Sequence, residues 1–252
     1  MKAKFTGNGN TKLGRKMGVW SVLMGDDEYF IPELGLTVRG TCGGHCAACK
    51  HDCYVRKSYM RYTARATGKC SVKLGHARNT IALRENLEQC FADLNGQLNR
   101  KRVPFDQIRL NQSGEIENAE QFDMWCRLAA SHPETEFYVY TKAYEIVVPA
   151  LLSGKVPNNF TVLISVWHEI GIAEFLKVAH LENVKAFVYV DHNKDVVNGW
   201  TVADYRERGL EITTLCNAYD IHGKMDHNIT CDRCTKCFNR VAKCKVVGCF
   251  AH

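Results

Sequence analysis

The sequence lacks any long apolar run. No stretch of its 252 residues approaches the roughly 18 to 20 uninterrupted apolar residues needed to span a bilayer. The first residues are basic, but no apolar core of signal-peptide length follows them. We therefore expect no membrane partner and a cytoplasmic location, where a reducing environment keeps the thirteen cysteines as free thiols.

The common catalytic signatures are also missing. The chain has no Walker phosphate loop, no Rossmann glycine fingerprint and no Ser/His/Asp nucleophile elbow. We therefore look to the cysteines for residues that could carry its chemistry.

Strand-like and helix-like segments alternate through most of the chain. The near-continuous apolar runs VLISV and AFVYV predict parallel strands that are buried on both faces. With the strand in ELGLTVRG, six strand–helix units predict an α/β fold, a partial (β/α)6 barrel over residues 36–222. We expect residues 1–35 to form an N-terminal extension and residues 223–252 a Cys-rich C-terminal metal-binding tail. Apolar positions at helical spacing predict one helix from Ala77 to Leu98.

Polar residues follow three neighbouring predicted strands. Parallel α/β folds bind ligands at the carboxyl ends of their strands, so these residues should converge on one face. Lys142 could equally be a solvated lysine, and Ser165 could equally satisfy nearby backbone. The candidates are Ser113, Gly114 and Glu115 after the second strand, Lys142 after the third and Ser165 in the fourth.

Four cysteines, Cys42, Cys46, Cys49 and Cys53, lie within twelve residues. Thiolates are soft ligands, so such a group predicts a metal or iron–sulfur site. The spacing Cys42-x3-Cys46-x2-Cys49 suits three irons of a [4Fe–4S] cluster with the fourth iron open. Because Cys53 is also near, the ligand set could instead be Cys42, Cys49 and Cys53. A zinc knuckle on all four is the alternative.

A second cysteine group occupies the end of the chain. Cys231, Cys234 and Cys237, with Cys216 as a distant fourth ligand, resemble a ferredoxin-type set and predict a second cluster. A structural zinc ribbon is the alternative. Cys90 and Cys126 lie among apolar helical neighbours and are expected to be small buried side chains.

The CxxxCxxC loop and the tip Ser113-Gly114-Glu115 together resemble the radical S-adenosylmethionine (SAM) superfamily. That resemblance implies a [4Fe–4S] cluster and SAM as cofactors, with a small electron-transfer protein as reductant. It also implies reductive cleavage of SAM to a 5′-deoxyadenosyl radical that acts on a substrate the sequence does not identify. Glu115 would take the amino group of SAM, Lys142 its carboxylate and Ser165 its ribose. Ala48 departs from the pattern, because the family usually has an aromatic residue there.

The chain also resembles the phage gene product 88 domain family. This resemblance rests on Cys42, Cys49 and Cys53-Tyr54, on GNTKLGRKMGVWSV upstream and on the cysteine-rich end. It covers most of the chain and bears on the ligand set more than on the reaction.

A non-catalytic iron–sulfur or zinc-binding protein, associated with nucleic acid, is the competing hypothesis. The segment VRKSYMRYTARA carries basic residues among aromatic ones, as surfaces that contact polyanions do. A solvated helix or loop would look the same. We expect an enzyme, because a binding protein has no use for a carboxylate at Glu115 aimed at the cluster.

Overall fold

The protein is organised by parallel strands. The computed structural model describes residues 1–6, 17–43, 49–50, 53–100, 105–190, 200–216, 226, 228–238 and 244–250. Its strands are β1 (Met17–Val19), β2 (Glu28–Ile31), β3 (Leu36–Arg39), β4 (Gln107–Leu110), β5 (Glu136–Thr141), β6 (Phe160–Val166), β7 (Val184–Val190), β8 (Thr214–Leu215) and β9 (Val246–Phe250).

Seven of these strands form one sheet in the order β1-β4-β5-β6-β7-β9-β8, and every pairing in it is parallel. All seven residues of β6 are buried, as its near-continuous apolar run predicts. The predicted α/β class with a parallel sheet is confirmed. The described strands do not form a barrel, because β1 and β8 end the sheet and do not pair with each other.

The helices connect successive strands. They are α1 (Tyr54–Tyr62), α2 (Ser71–Glu85), α3 (Leu87–Leu98), α4 (Ala119–Ala130), α5 (Tyr144–Leu152), α6 (Glu169–Val178), α7 (Val202–Glu207) and α8 (Cys231–Cys234).

The helix predicted from residue 77 to residue 98 is in fact two helices. Asn86 adopts an extended conformation between α2 and α3, with φ −157° and ψ 95°. Its side chain accepts a hydrogen bond from Gln89 N at 2.9 Å and so caps α3. The apolar spacing continues across this break, which is why periodicity alone does not reveal it.

The strand before the cysteines does not begin the main sheet, so that prediction is wrong. β3 pairs antiparallel with β2 in a separate hairpin. The first parallel strand is β1, which pairs with β4. The segment predicted as an extension therefore supplies an edge strand, and it buries Phe5 and Trp20 in the main core. The domain boundaries at residues 35 and 222 stay predictions.

The sheet ends differently from the prediction. Within its described residues, the expected sixth strand, LEITTLCNAY, contributes two residues, those of β8 at the edge. β9, from the cysteine-rich tail, lies between β7 and β8. Val246, Val247 and Cys249 of β9 are buried. The tail is therefore part of the sheet as well as a cysteine-rich segment.

The two faces of the sheet are covered differently. On one face Val139 and Val162 pack with Trp125 of α4 and Phe175 of α6 in the main hydrophobic core. The other face carries alternate strand residues such as Tyr138, which is stacked on Phe238 with ring centroids 4.8 Å apart. The cysteine-rich segment thus covers the face turned away from the helices, while the carboxyl edge of β4 to β6 carries the predicted tips.

Candidate functional site

Thr41 joins the start of the cysteine loop to the tip after β4. Its hydroxyl donates to Leu23 O at 2.9 Å and accepts a hydrogen bond from Glu115 N at 2.8 Å. The next residue, Cys42, donates its backbone N–H to Gly25 O at 2.8 Å. The positions of Cys42 and Glu115 are therefore set by one network of hydrogen bonds.

Gly114 allows this close approach. Its φ is +81°, a region that side chains disfavour, and an added Cβ would lie 2.3 Å from Val22 Cγ2 and 2.5 Å from Thr41 Oγ1. Glycine at this position is required by both the backbone conformation and the available space.

The Glu115 carboxylate is held by the end of β5. Its Oε1 accepts hydrogen bonds from Thr141 Oγ1 at 2.7 Å and Ile116 N at 2.9 Å, and its Oε2 accepts one from Lys142 N at 2.8 Å. Burial raises the pKa of this carboxyl, and the three hydrogen bonds and the Lys142 charge oppose that rise. A carboxylate has about four acceptor positions, so the donors described here leave one position on Oε2.

Lys142 links this carboxylate to the cysteine loop. Its ammonium lies 3.4 Å from Cys49 Sγ and 4.7 Å from the centre of the Trp167 ring. Trp167 is in turn stacked on Tyr189, with ring centroids 4.5 Å apart and planes 15° apart. A cation, a thiol and an aromatic platform thus adjoin one another at the carboxyl edge.

Three of the four cysteines of the first group come together beside Glu115. The pKa of the Cys42 thiol is raised to about 12, first by burial and then by the neighbouring Glu115, Cys49 and Cys53. Cys53 precedes α1, and its Sγ lies 3.7 Å from Met24 Sδ. Cys46 lies outside the described residues, so the choice between Cys46 and Cys53 stays open.

The other residues predicted at strand ends also lie at this edge of the sheet. Ser113 and Ser165 are both buried, at 3% and 4% exposure. Ser165 lies near the carboxyl end of β6, and its carbonyl oxygen accepts a hydrogen bond from Tyr144 Oη at 2.5 Å. Adjacent strands therefore bring Glu115, Lys142 and Ser165 to one edge, as the order of the segments predicts.

The second cysteine group also assembles. Burial raises the pKa of Cys237 to about 12, and Cys216, Cys231 and Cys234 are near enough to raise it further. Cys231 and Cys237 pack against the cluster of Met17, Val19, Tyr138, Leu163 and Phe238, on the face away from the helices.

Sequence reasoning missed two residues beside this second group. Tyr140 is near enough to Cys237 to lower the pKa of its thiol, and the Arg109 guanidinium lies 4.9 Å from the centre of the Tyr140 ring. Lys185 is 1% exposed and donates to Lys236 O at 2.6 Å, with Cys244 Sγ 3.6 Å away. Strand alternation could have indicated both, because Tyr140 follows Tyr138 and Lys185 precedes Phe187 on the same face.

The described residues do not contain a preformed site for a single metal ion. No three cysteine, histidine, aspartate or glutamate side chains among them are arranged to hold one. Tetrahedral zinc, with Zn–S bonds of about 2.3 Å, needs its sulfurs within about 4 Å of one another. In a [4Fe–4S] cluster each thiolate binds its own iron, so the sulfurs lie further apart.

Substitution of Thr41 by valine should destabilise the protein by about 1–3 kcal/mol. Valine has nearly the same shape but leaves the Glu115 N–H without its acceptor at a position that is 4% exposed. Thr41→Ser keeps the hydroxyl and should lose less than half as much. Denaturant unfolding of the two variants measures the difference, and equal losses would contradict a role for this hydrogen bond.

These features define a class of α/β protein that has an open parallel sheet, one thiol group at its carboxyl edge and another on the face opposite α4 and α6. None of the described helices is both long and apolar enough to cross a membrane.

The chain belongs to the Gene product 88 family, whose family model matches residues 3–240. No curated protein and no solved structure matches it. The resemblance to the Gene product 88 family is thereby confirmed, whereas the match lends no support to the radical SAM resemblance, which stays a hypothesis.

Proposed function

We propose that this protein is an iron–sulfur enzyme of the radical SAM type. The observation that carries the proposal is made at the carboxyl edge of a parallel sheet. There Cys42 lies near enough to Glu115, Cys49 and Cys53 for them to raise its pKa, and Cys49 Sγ contacts the Lys142 ammonium. Ligands of parallel α/β proteins bind at this edge. A cluster on three thiolates would face the two charged groups that a zwitterionic cofactor needs.

The donor set fits an iron–sulfur cluster. Three thiols on one side of a site supply three irons and leave a fourth iron for another ligand. We propose Cys42, Cys49 and Cys53 as the three, because Cys49 and Cys53 are both near enough to Cys42 to raise its pKa and the residues around them carried the family resemblance. When bound and reduced, a cluster of this kind supplies one electron to break a carbon–sulfur bond of SAM, which yields a 5′-deoxyadenosyl radical.

The chain's own residues would orient SAM. The unoccupied acceptor position on Glu115 Oε2 suits its ammonium group, and the Lys142 ammonium suits its carboxylate. Ser165, two strands away from β4, would contact the ribose. Lys142 would also lie against a cluster ligand, where a cation favours the more negative, reduced state.

The second thiol group would hold a second [4Fe–4S] cluster on Cys216, Cys231, Cys234 and Cys237. We further propose that β1, β4 to β7 and β9 form the curved wall of an open partial barrel around both groups. A small electron-transfer protein would deliver the reducing electron.

A non-catalytic iron–sulfur or zinc-binding protein is the second candidate. The observation that favours it is the hydrogen bonding of Glu115, which three donors of the chain already hold in place. On this view the carboxylate braces the cysteine loop and has no ligand to bind.

The test is anaerobic purification, iron and sulfide analysis, and incubation with dithionite and SAM. We expect 5′-deoxyadenosine and methionine as products. Glu115→Gln should keep the iron but weaken SAM binding at least about tenfold, because the amide cannot pair with an ammonium group as a carboxylate does. Cluster-loaded protein that neither binds nor cleaves SAM would overturn the proposed enzyme function. The non-catalytic metal-binding protein would then be the remaining candidate.

A further inference from the structure

The surface of α1 and the turn after it is strongly basic. Between residues 53 and 84 the chain has eight lysines and arginines and no aspartate or glutamate. Five of these form what we call the basic α1 surface, and all five are exposed: Arg56, Lys57, Arg61, Arg65 and Lys69.

Packing fixes which side of α1 meets solvent. Val55 and Tyr59, one helical turn apart, are buried at 5% exposure each in a hydrophobic cluster with Met24 and Ile31. The opposite side therefore presents Arg56, Lys57 and Arg61 to solvent. The turn that follows is closed by a hydrogen bond from Ala64 N to Lys69 O at 2.8 Å, and it adds Arg65 and Lys69.

Nothing in the part of the chain that the structure describes neutralises these charges. Other basic side chains have acidic partners, such as Arg127 with Glu88 at 2.7 Å and Lys177 with Glu174 at 2.5 Å. None of the five residues of the basic α1 surface forms an ion pair with a described residue. With respect to the described residues, their positive charge is available to an external partner.

Two large side chains on the same surface add apolar contact. Met60 is 68% exposed and Tyr62 is 57% exposed. An exposed tyrosine among arginines and lysines suits a single-stranded nucleic acid, whose phosphates pair with the cations and whose bases stack on the ring. A membrane surface fits less well, because the apolar side of α1, with Val55 and Tyr59, is already buried in the protein.

We infer that the basic α1 surface binds single-stranded nucleic acid. α1 begins directly after Cys53, and Arg56 and Cys53 are both near enough to Tyr29 to influence its pKa. A bound strand would therefore pass beside the first cysteine group. That this strand is also the substrate rests on the proposed function, whereas the binding itself does not.

Fluorescence anisotropy with a labelled single strand of about 20 nucleotides tests the inference on the full chain. The double variant Arg61→Ala/Arg65→Ala should weaken binding at least about tenfold. It should also reduce the slope of log affinity against log salt by about 1.4, because each lost phosphate contact removes about 0.7. Tyr62→Ala should weaken binding at least about fivefold, and Tyr62→Phe should restore it.

The matched control is Lys155→Ala/Arg206→Ala, which removes two exposed charges elsewhere on the molecule. It should leave the affinity within about twofold of the unaltered protein, since it touches no part of the surface. Circular dichroism checks that each variant is folded. No binding to the strand at low salt, equal losses in both double variants, or tighter binding to anionic vesicles or to an acidic protein would overturn the inference. Strand binding by a protein that does not cleave SAM would support it and count only against the proposed enzyme.

Discussion

The substitution Cys49→Ala should abolish the first proposed cluster, with a loss of about four irons per chain and of the cluster's visible absorbance. Cys49 belongs to both candidate ligand sets, and it is the thiol that contacts Lys142. Without it only two ligands of either set remain, which do not retain a cluster. Iron and sulfide assays on anaerobically purified protein measure the change.

The control for this substitution is Cys126→Ala. Cys126 lies in α4 among apolar residues at 6% exposure, as its sequence neighbours predict. Its loss should cost about 1–2 kcal/mol of stability through a small cavity and leave the iron unchanged. A Cys49→Ala protein with the same iron content as the unaltered protein would disprove the proposed iron–sulfur site at the first cysteine group.

The same assay identifies the third ligand. If the set is Cys42, Cys49 and Cys53, then Cys53→Ala should lose the cluster and Cys46→Ala should keep it. The reverse result would assign the CxxxCxxC set and leave Cys53 as the residue that precedes α1.

Of the substitutions considered, Gly114→Ala should reduce the free energy of unfolding most, by about 2–4 kcal/mol. The added Cβ meets Val22 and Thr41 at distances no real contact shows, and the backbone φ of +81° is strained for any side chain. Because Thr41 and Glu115 form one network, SAM affinity should fall with stability. Denaturant unfolding measures the first effect and equilibrium dialysis the second.

Gly96→Ala is the matched control. Gly96 lies within α3, and an added Cβ there would meet nothing within 4 Å. Alanine should stabilise this helix by about 0.5–1 kcal/mol. Similar losses at positions 96 and 114 would mean that the geometry around Gly114 is not what makes glycine necessary.

The central strands could be predicted from the sequence because their local signal is strong. β6 and β7 are seven residues long, mostly apolar and mostly buried, and tertiary packing agrees with what they favour locally. The convergence of Glu115, Lys142 and Ser165 followed from the order of these strands. Parallel neighbours place their carboxyl ends together whatever the details of the loops.

The edge of the sheet could not be predicted in the same way. β1 has three residues and contains Gly18, and β9 has five and contains Gly248, so neither has a distinctive pattern. Their pairing is set by partners far along the chain. β3 alternates as a strand should, yet it closes a hairpin with β2, because an isolated strand pattern does not specify its neighbour.

The sequence singled out the two cysteine groups, but it could not show which residues surround them. Nothing local in the chain places Lys142 beside Cys49, or Tyr140 beside Cys237. Those contacts arise when loops from distant segments meet over the sheet. Residue types therefore identified the two thiol groups, and only the fold supplied their neighbours.

The position of β9 also constrains the order in which the protein can be built. β8 is synthesised first, but in the described sheet it pairs only with β9, which lies about thirty residues further on. During translation β7 must therefore keep an unpaired edge until residues 246–250 have left the ribosome. The cysteines from Cys231 to Cys237 emerge in that interval, so these thiols leave the ribosome before the strand that completes the sheet.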